Sequence, residues 1–283
     1  MGDTQMLIVI LVLAALLLTA AFLLNRAMFR PEQPPEPPEL SGRAVTIPGS
    51  RGPLAARQWN PEGTRGLVLL AHGMGTSIGW HLPEAEHFAA RGYRVLALEY
   101  TGYRGSAGHF GGFARAVLDL RDALACADSG ELPVILAGHS MGAYAVCAVQ
   151  QLHPTAAVIA YAPFSCPGAA IRHLTGSMPA GKLLTAAILA VQRLLFGKYA
   201  DLSAVRGLQS GVPALILQGS EDREVPCGGC SLYARRTELP GADFRLITDP
   251  ASNQHMTVIR QAGQAGVNRD TMALVDEFLD RRF

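Results

Sequence analysis

Pro133–Gly142, PVILAGHSMG, decides the reading of this chain. Val134, Ile135 and Leu136 make a short β-branched-rich run of the buried-strand type, and Ala143 to Gln151 continues as a good helix former. Between them Gly138-His139-Ser140-Met141-Gly142 has to turn sharply. Glycines two residues before and after Ser140 let strand and helix backbones approach closely, so the serine hydroxyl projects above the end of the sheet on a strained turn. A serine held this way is placed to attack. An ordinary Gly-Ser-Gly turn carries the same letters, so the rest of the chain has to decide.

Outward from this stretch the pattern alternates. Strands are predicted at Val45–Ile47, Ala55–Trp59, Leu67–Ala71, Val95–Leu98, Val134–Ala137, Ala157–Ala160, Ala214–Gln218 and Phe244–Ile247. Helices are predicted at Glu84–Arg91, Phe113–Ala127, Gly142–Leu152, around Gly229–Arg236, and at Asp270–Arg281 with Asp270 as its cap. Two early strands in a hairpin, then repeated strand-helix units, give an α/β fold: a mostly parallel sheet with helices on both faces. In such a sheet the site lies at the carboxyl ends of the strands.

Three strand ends carry chemistry besides the serine turn. After Leu67–Ala71 comes His72-Gly73-Met74-Gly75, a turn whose backbone amides can face a developing oxyanion; Met74 and Met141 would supply the two donors. After Ala214–Gln218 comes GSEDREVP, Gly219–Pro226, which holds Asp222 in a tight loop. After Phe244–Ile247 a loop brings His255 ahead of the last helix. Each alone is an ordinary loop feature. The chain order Ser140, Asp222, His255 is the one a Ser-Asp-His triad takes on this kind of sheet, with Asp249 as the rival acid.

On these residues, HGMG at 72–75, GHSMG at 138–142 and GSEDREVP at 219–226, the chain resembles the α/β-hydrolase superfamily, and specifically its serine hydrolases of esterase, lysophospholipase and thioesterase type. The resemblance runs from about Val45 to the C-terminus. Glu99–Ser106, EYTGYRGS, looks like a further family turn but departs from it at the first acidic position and in the Tyr-Arg order; the usual small residues before the histidine are replaced by Asn253-Gln254. The resemblance implies acyl transfer to water through a covalent intermediate, with catalytic Ser140, Asp222 and His255, and with no metal or organic cofactor. His72, Gly73 and His139 beside the two turns are expected to contact substrate. An acyltransferase or peptidase on the same triad, and a non-catalytic interaction module, are the alternatives.

The other segments bound where this happens. Met6–Leu24 is nineteen residues without a charge, about 28 Å as a helix and enough for a bilayer core. It reads as a single-pass membrane anchor after a short tail at residues 1–5, with a cleaved signal ending near Thr19-Ala20-Ala21 as the competing reading. Arg26 and Arg30 on its far flank place the bulk of the chain in the cytoplasm. Residues 25–42 read as a proline-rich stalk, RPEQPPEPPELSG at Arg30–Gly42, lifting a hydrolase domain at 43–283 off the membrane. A net charge of +1 and the lack of a basic stripe exclude nucleic acid as the default partner. Five cysteines in no framework pattern, Cys227 and Cys230 among them, fit a reducing compartment.

Residues 163–211 break the alternation where the family commonly inserts a cap, so this insert is expected to set substrate choice. Lys182–Lys198, KLLTAAILAVQRLLFGK, reads as one helix, too short to span a bilayer. Lys182, Thr185, Gln192 and Arg193 gather on one side of it, and the rest is apolar. It is either a buried core helix or a lid, with Leu184 and Ile188 facing an acyl substrate and a basic surface of net +4 near anionic headgroups.

Overall fold

The computed structural model describes residues 2–32, 35, 40–260 and 266–283. Part of the expected spacer, residues 33–34 and 36–39, therefore lies outside the described residues.

Eight strands make one sheet: β1 (Arg43–Ile47), β2 (Leu54–Trp59), β3 (Leu67–Ala71), β4 (Arg94–Leu98), β5 (Val134–His139), β6 (Ala157–Tyr161), β7 (Ala214–Gly219) and β8 (Asp243–Ile247). Their order is β1-β2-β4-β3-β5-β6-β7-β8. Strand β2 runs antiparallel to both its neighbours, and from β4 to β8 every pair is parallel. Successive side chains of a strand point to opposite faces, so Leu67, Leu69 and Ala71 enter one core while Val68 and Leu70 enter the other. Helices cover both faces, which is why the central strands are apolar throughout rather than alternating. One layer holds α3 (Phe113–Cys126) and α4 (Met141–Ala148); the other holds α2 (Leu82–Ala90) and α8 (Arg269–Asp280). The chain leaves β3 in one direction to reach β4 and then returns across it to β5, so the ends of β3 and β5 meet at a switch in strand order.

Two helical expectations need correction. The last helix is capped by Asn268, whose side chain accepts from the Thr271 amide at 3.2 Å, because Asn268 is the last residue with extended backbone; Asp270 already lies in the first turn. Around residues 229–236 the chain forms only a tight 3₁₀ stretch at Leu232–Glu238.

The insert contains α5 (Pro167–Thr175), α6 (Gly181–Phe196) and the short α7 (Ala204–Leu208). Helix α6 turns its polar Thr185 and Gln192 inward along with Ile188 and Val191, and leaves Leu183 and Leu194 exposed. Hydrogen bonds explain the inversion: Thr185 pairs with Thr175 at 2.6 Å, and Gln192 reaches a buried carbonyl.

The first helix, α1 (Asp3–Met28), is long and apolar enough to cross a membrane at about 39 Å. It does not stop at Leu24. Asn25 and the capping residue Phe29 are buried against the sheet's helical layer, so the expected stalk beginning at residue 25 is corrected to a helix end that packs into the domain. A Phe buried this fully contributes about 2 kcal/mol.

A buried ion pair ties the two ends of the fold together. Arg260 grips Glu84 of α2 at 2.7 and 2.8 Å and lies 4.4 Å over the Trp80 ring. Glu84→Gln leaves a largely enclosed guanidinium unpaired and should cost about 3 kcal/mol. Glu277→Gln breaks only the exposed pair with Arg281 and should leave the denaturation midpoint unchanged. Urea unfolding of the two variants side by side checks the contrast.

Candidate active site

Strand β5 ends at His139, α4 begins at Met141, and Ser140 between them has φ 55° and ψ −115°. A residue with a side chain holds this conformation only where its surroundings impose it. Here they do. A Cβ on Gly142 would lie 2.0 Å from the Ala71 carbonyl oxygen, and one on Gly138 would lie 2.6 Å from the Gly142 carbonyl carbon. The Ser140 amide donates to the Tyr161 carbonyl at 2.8 Å, which pins the turn to β6.

The turn after β3 packs against this elbow, since a Cβ on Gly73 would stand 3.4 Å from the Ser140 Cβ. His72 braces the turn from below, its Nδ1 donating to the Gly73 carbonyl at 2.7 Å and its Nε2 lying 3.2 Å from Glu99. The Glu99 carboxylate also accepts from the Ile78 amide at 2.8 Å, which gives the EYTGYRGS turn a structural part under the site. The Met141 amide opens α4 and, as a first-turn amide, has no acceptor within its helix.

Asp222 and His255 meet at 2.8 Å between Oδ2 and Nδ1, both buried. A carboxylate only accepts, so Nδ1 carries the proton and the Nε2 lone pair is left free. The same Oδ2 accepts from Gln218 Nε2 at 3.0 Å, and Oδ1 accepts from the amides of Glu224 and Val225 at 3.0 and 2.8 Å. The carboxylate is thus fixed on every side. The two loops also interlock: the Glu221 amide donates to the Asn253 carbonyl at 2.9 Å, and a Cβ on Gly219 would sit 2.3 Å from that oxygen. Asp249 is exposed and serves its own turn, accepting from Ala251 and Ser252.

His139 supports the histidine loop. Its Nε2 donates to the His255 carbonyl at 3.0 Å, and the two rings stand 4.7 Å apart. Burial, with the nearby imidazoles of His255 and His81, holds its pKa well below the ordinary value.

A cavity of about 150 Å³ opens at Ser140, walled by Met74, Phe113, Phe164, Ala170, Leu174 and Val225. Its wall on the side of the insert is α5. Leu184 and Ile188 of α6 are absent from it: Ile188 is in the core and Leu184 packs on that core, because the polar residues of α6 claim the inward face. His72 and His139 are likewise buried behind the cavity rather than facing it. The sequence reading missed Gln218, Phe113 and Phe164, and also Glu224, whose Oε2 is 3.6 Å from His255 Nε2. Gln218 carried a signal, being the one polar side chain in the apolar run before the acid loop. All five cysteines are free thiols. Burial raises Cys227 and pushes Cys230 up to about 11.

A strand order with its switch at the serine turn, and an acid and a histidine supplied by the last two strands, define an α/β-hydrolase. The family described as "Serine aminopeptidase, S33" matches residues 62–203, and the chain belongs to this family of serine hydrolases. Among solved structures, an esterase of Pyrococcus furiosus superposes with a TM-score of 0.65 at 18% identity, over 88% of this chain and 99% of that one. A lidless α/β serine hydrolase of Xanthomonas campestris gives 0.53 at 18% identity, over 87% and 97%. These likenesses are of fold. A monoacylglycerol lipase of Mycolicibacterium smegmatis is 36% identical over 102 residues, 34% of this chain and 36% of that one, so the match spans about a third of the curated relative.

The buried imidazoles set a pH dependence. His139 and His81 are both lowered from 6.5 chiefly by burial, so both protonate more readily unfolded, and stability is lost as pH falls below about 6.5. Asp119 works the other way: burial pushes it up to about 6, so from there downward it binds its proton in the fold first and offsets one histidine. The two histidines together outweigh the one carboxyl, so the net effect on stability is a loss as pH falls. Melting midpoints measured from pH 6.5 to 5 should fall accordingly, and Asp119→Asn should make the fall steeper.

Proposed function

We propose that the chain is a membrane-anchored serine hydrolase that cleaves carboxylic ester or thioester bonds of lipophilic acyl substrates through an acyl-enzyme. The observation that carries this is the buried Asp222–His255 hydrogen bond at the same edge of the sheet as Ser140, which itself opens on a mainly apolar cavity. Ser140 attacks the acyl carbonyl while His255 Nε2 takes its proton, and the Met74 and Met141 amides hold the oxyanion. His255 then returns the proton to the leaving alcohol or thiol, and water repeats the sequence to free the acid. Asp222 keeps the imidazole in the tautomer this needs and stabilises its cationic form.

The anchor reading rests on the uncharged stretch 6–24, with Arg26 and Arg30 favouring a cytoplasmic hydrolase domain at 43–283 and a cap at about 163–211. The apolar face of α6 supports a lid that meets the bilayer. Leu194 is 78% exposed and lies beside Leu18 and Phe22 of α1, at a depth the anchor would hold within lipid. Lipophilic esters would then reach the site from the membrane.

Ser140→Ala should abolish labelling of the detergent-solubilised chain by a fluorophosphonate and lower turnover about 10⁶-fold. Asp222→Asn should cost about 10⁴-fold, and Asp249→Asn nothing. Labelling that survives in Ser140→Ala, or a crippled Asp249→Asn beside a normal Asp222→Asn, overturns the assignment. Leu183→Gln with Leu194→Gln should slow hydrolysis in anionic vesicles while leaving a water-soluble acetyl ester untouched. Equal losses on both substrates would instead make α6 an ordinary packing helix.

A further inference from the structure

Asn25 is out of place in a tether. It interrupts an apolar helix with an amide that is 2% exposed, a costly burial unless it is hydrogen-bonded. Its Nδ2 donates to the Gly111 carbonyl at 2.9 Å. Gln192 Nε2, from α6, donates to the same oxygen at 2.9 Å and also to Asn25 Oδ1. One backbone carbonyl is therefore held by the first helix and the cap together. The fit there is close, since a Cβ on Gly112 would lie 2.1 Å from Gln192 Oε1.

Two residues beyond that carbonyl stands Phe113, a wall of the Ser140 cavity. Phe29, 1% exposed, meets the Phe113 ring edge-on with centroids 4.8 Å apart and planes at 87°. Phe164, another wall, meets Phe113 from a different direction at 4.8 Å. So the position of Phe113 is set by Asn25 through the Gly111 carbonyl and by Phe29 directly.

The same helix end borders a second space. A vestibule of about 770 Å³ lies between Met28, Arg30 and Glu32 on one side and Met74 and Gly75 on the other. Met74 lines both this vestibule and the inner cavity. The inner space is mainly apolar, whereas the outer one carries a guanidinium and a carboxylate.

We propose that the C-terminal turns of α1 are a working part of the acyl site: Asn25 and Phe29 are positioning residues for the Phe113 wall, and residues 27–32 form one side of the vestibule that takes the leaving alcohol. This rests on the reading of Ser140 as the nucleophile. A helix that both leads from the bilayer and walls the entrance delivers an ester alcohol-end outward and acyl-end inward.

The test uses the full chain in detergent micelles and compares kcat/KM for p-nitrophenyl octanoate with that for the acetate. Loosening the Phe113 wall removes binding of the longer chain in the transition state but not the chemistry. Phe29→Ala and Asn25→Ala should therefore lower the octanoate-to-acetate ratio about tenfold or more while fluorophosphonate labelling persists. Phe29→Leu should keep more of the ratio than Phe29→Ala. If Phe29→Ala does not accumulate, Phe29→Leu and Asn25→Ala report the same ratio. An unchanged ratio in the variants that fold, with or without a lowered melting midpoint, overturns the proposal and leaves α1 a structural prop. A failed nucleophile reading shows separately, as labelling that survives in Ser140→Ala.

Discussion

The contact on which the rest depends is the approach of Gly142 to the backbone of β3, where 2.0 Å would separate an added Cβ from the Ala71 carbonyl oxygen. No side chain fits, so only glycine lets α4 start directly over the ends of β3 and β5. Ser140 is then forced to φ 55°, and its hydroxyl stands above the sheet instead of packing into it. The strain is sustained by the sheet on both sides: the Tyr161 carbonyl takes the Ser140 amide, and the buried strands β3, β5 and β6 hold the register. Local conformation, packing and the exposure of one oxygen are here a single constraint.

Around that point, the acid carboxylate is buried in a satisfied set, whereas His139 keeps Nδ1 without a hydrogen-bond partner among the described residues. The Asp222 carboxylate accepts from one imidazole, one side-chain amide and two backbone amides, so it is oriented without freedom to rotate. His255 is held from the other side by His139 through its own carbonyl. Further out, Glu84 and Arg260 fix the far end of the histidine loop to α2. Such networks cost much when half-broken and little when complete, which keeps the relative positions of these groups fixed.

The first helix also bears on the insert at residues 163–211. A hydrocarbon-spanning helix followed at once by a stiff spacer would leave the insert without contact to that helix. Here α1 and α6 share a small apolar cluster of Ala21, Ala187 and Val191, with the Asn25 and Gln192 amides next to it. The insert is thereby referenced to the first helix as well as to the sheet.

Sequence alone determined the strands, their parallel character and the chain order of Ser140, Asp222 and His255. These follow from local signals: apolar runs of strand length, glycines at turns, and polar residues just past strand ends. The eight strand positions match the structure within one or two residues, and for the central strands burial on both faces leaves little choice of sequence. Tertiary structure decided which way α6 faces, where the first helix ends and which side chains wall the cavity. Apolar pattern would bury Leu183 and Leu194 and expose Gln192, yet a buried carbonyl at Gly111 reverses it, and that carbonyl is 81 residues away in the chain. The same holds for Phe29 against Phe113 and for Asp222 over Asp249. Each depends on a partner brought near only by the finished fold, and no periodicity within a segment records it.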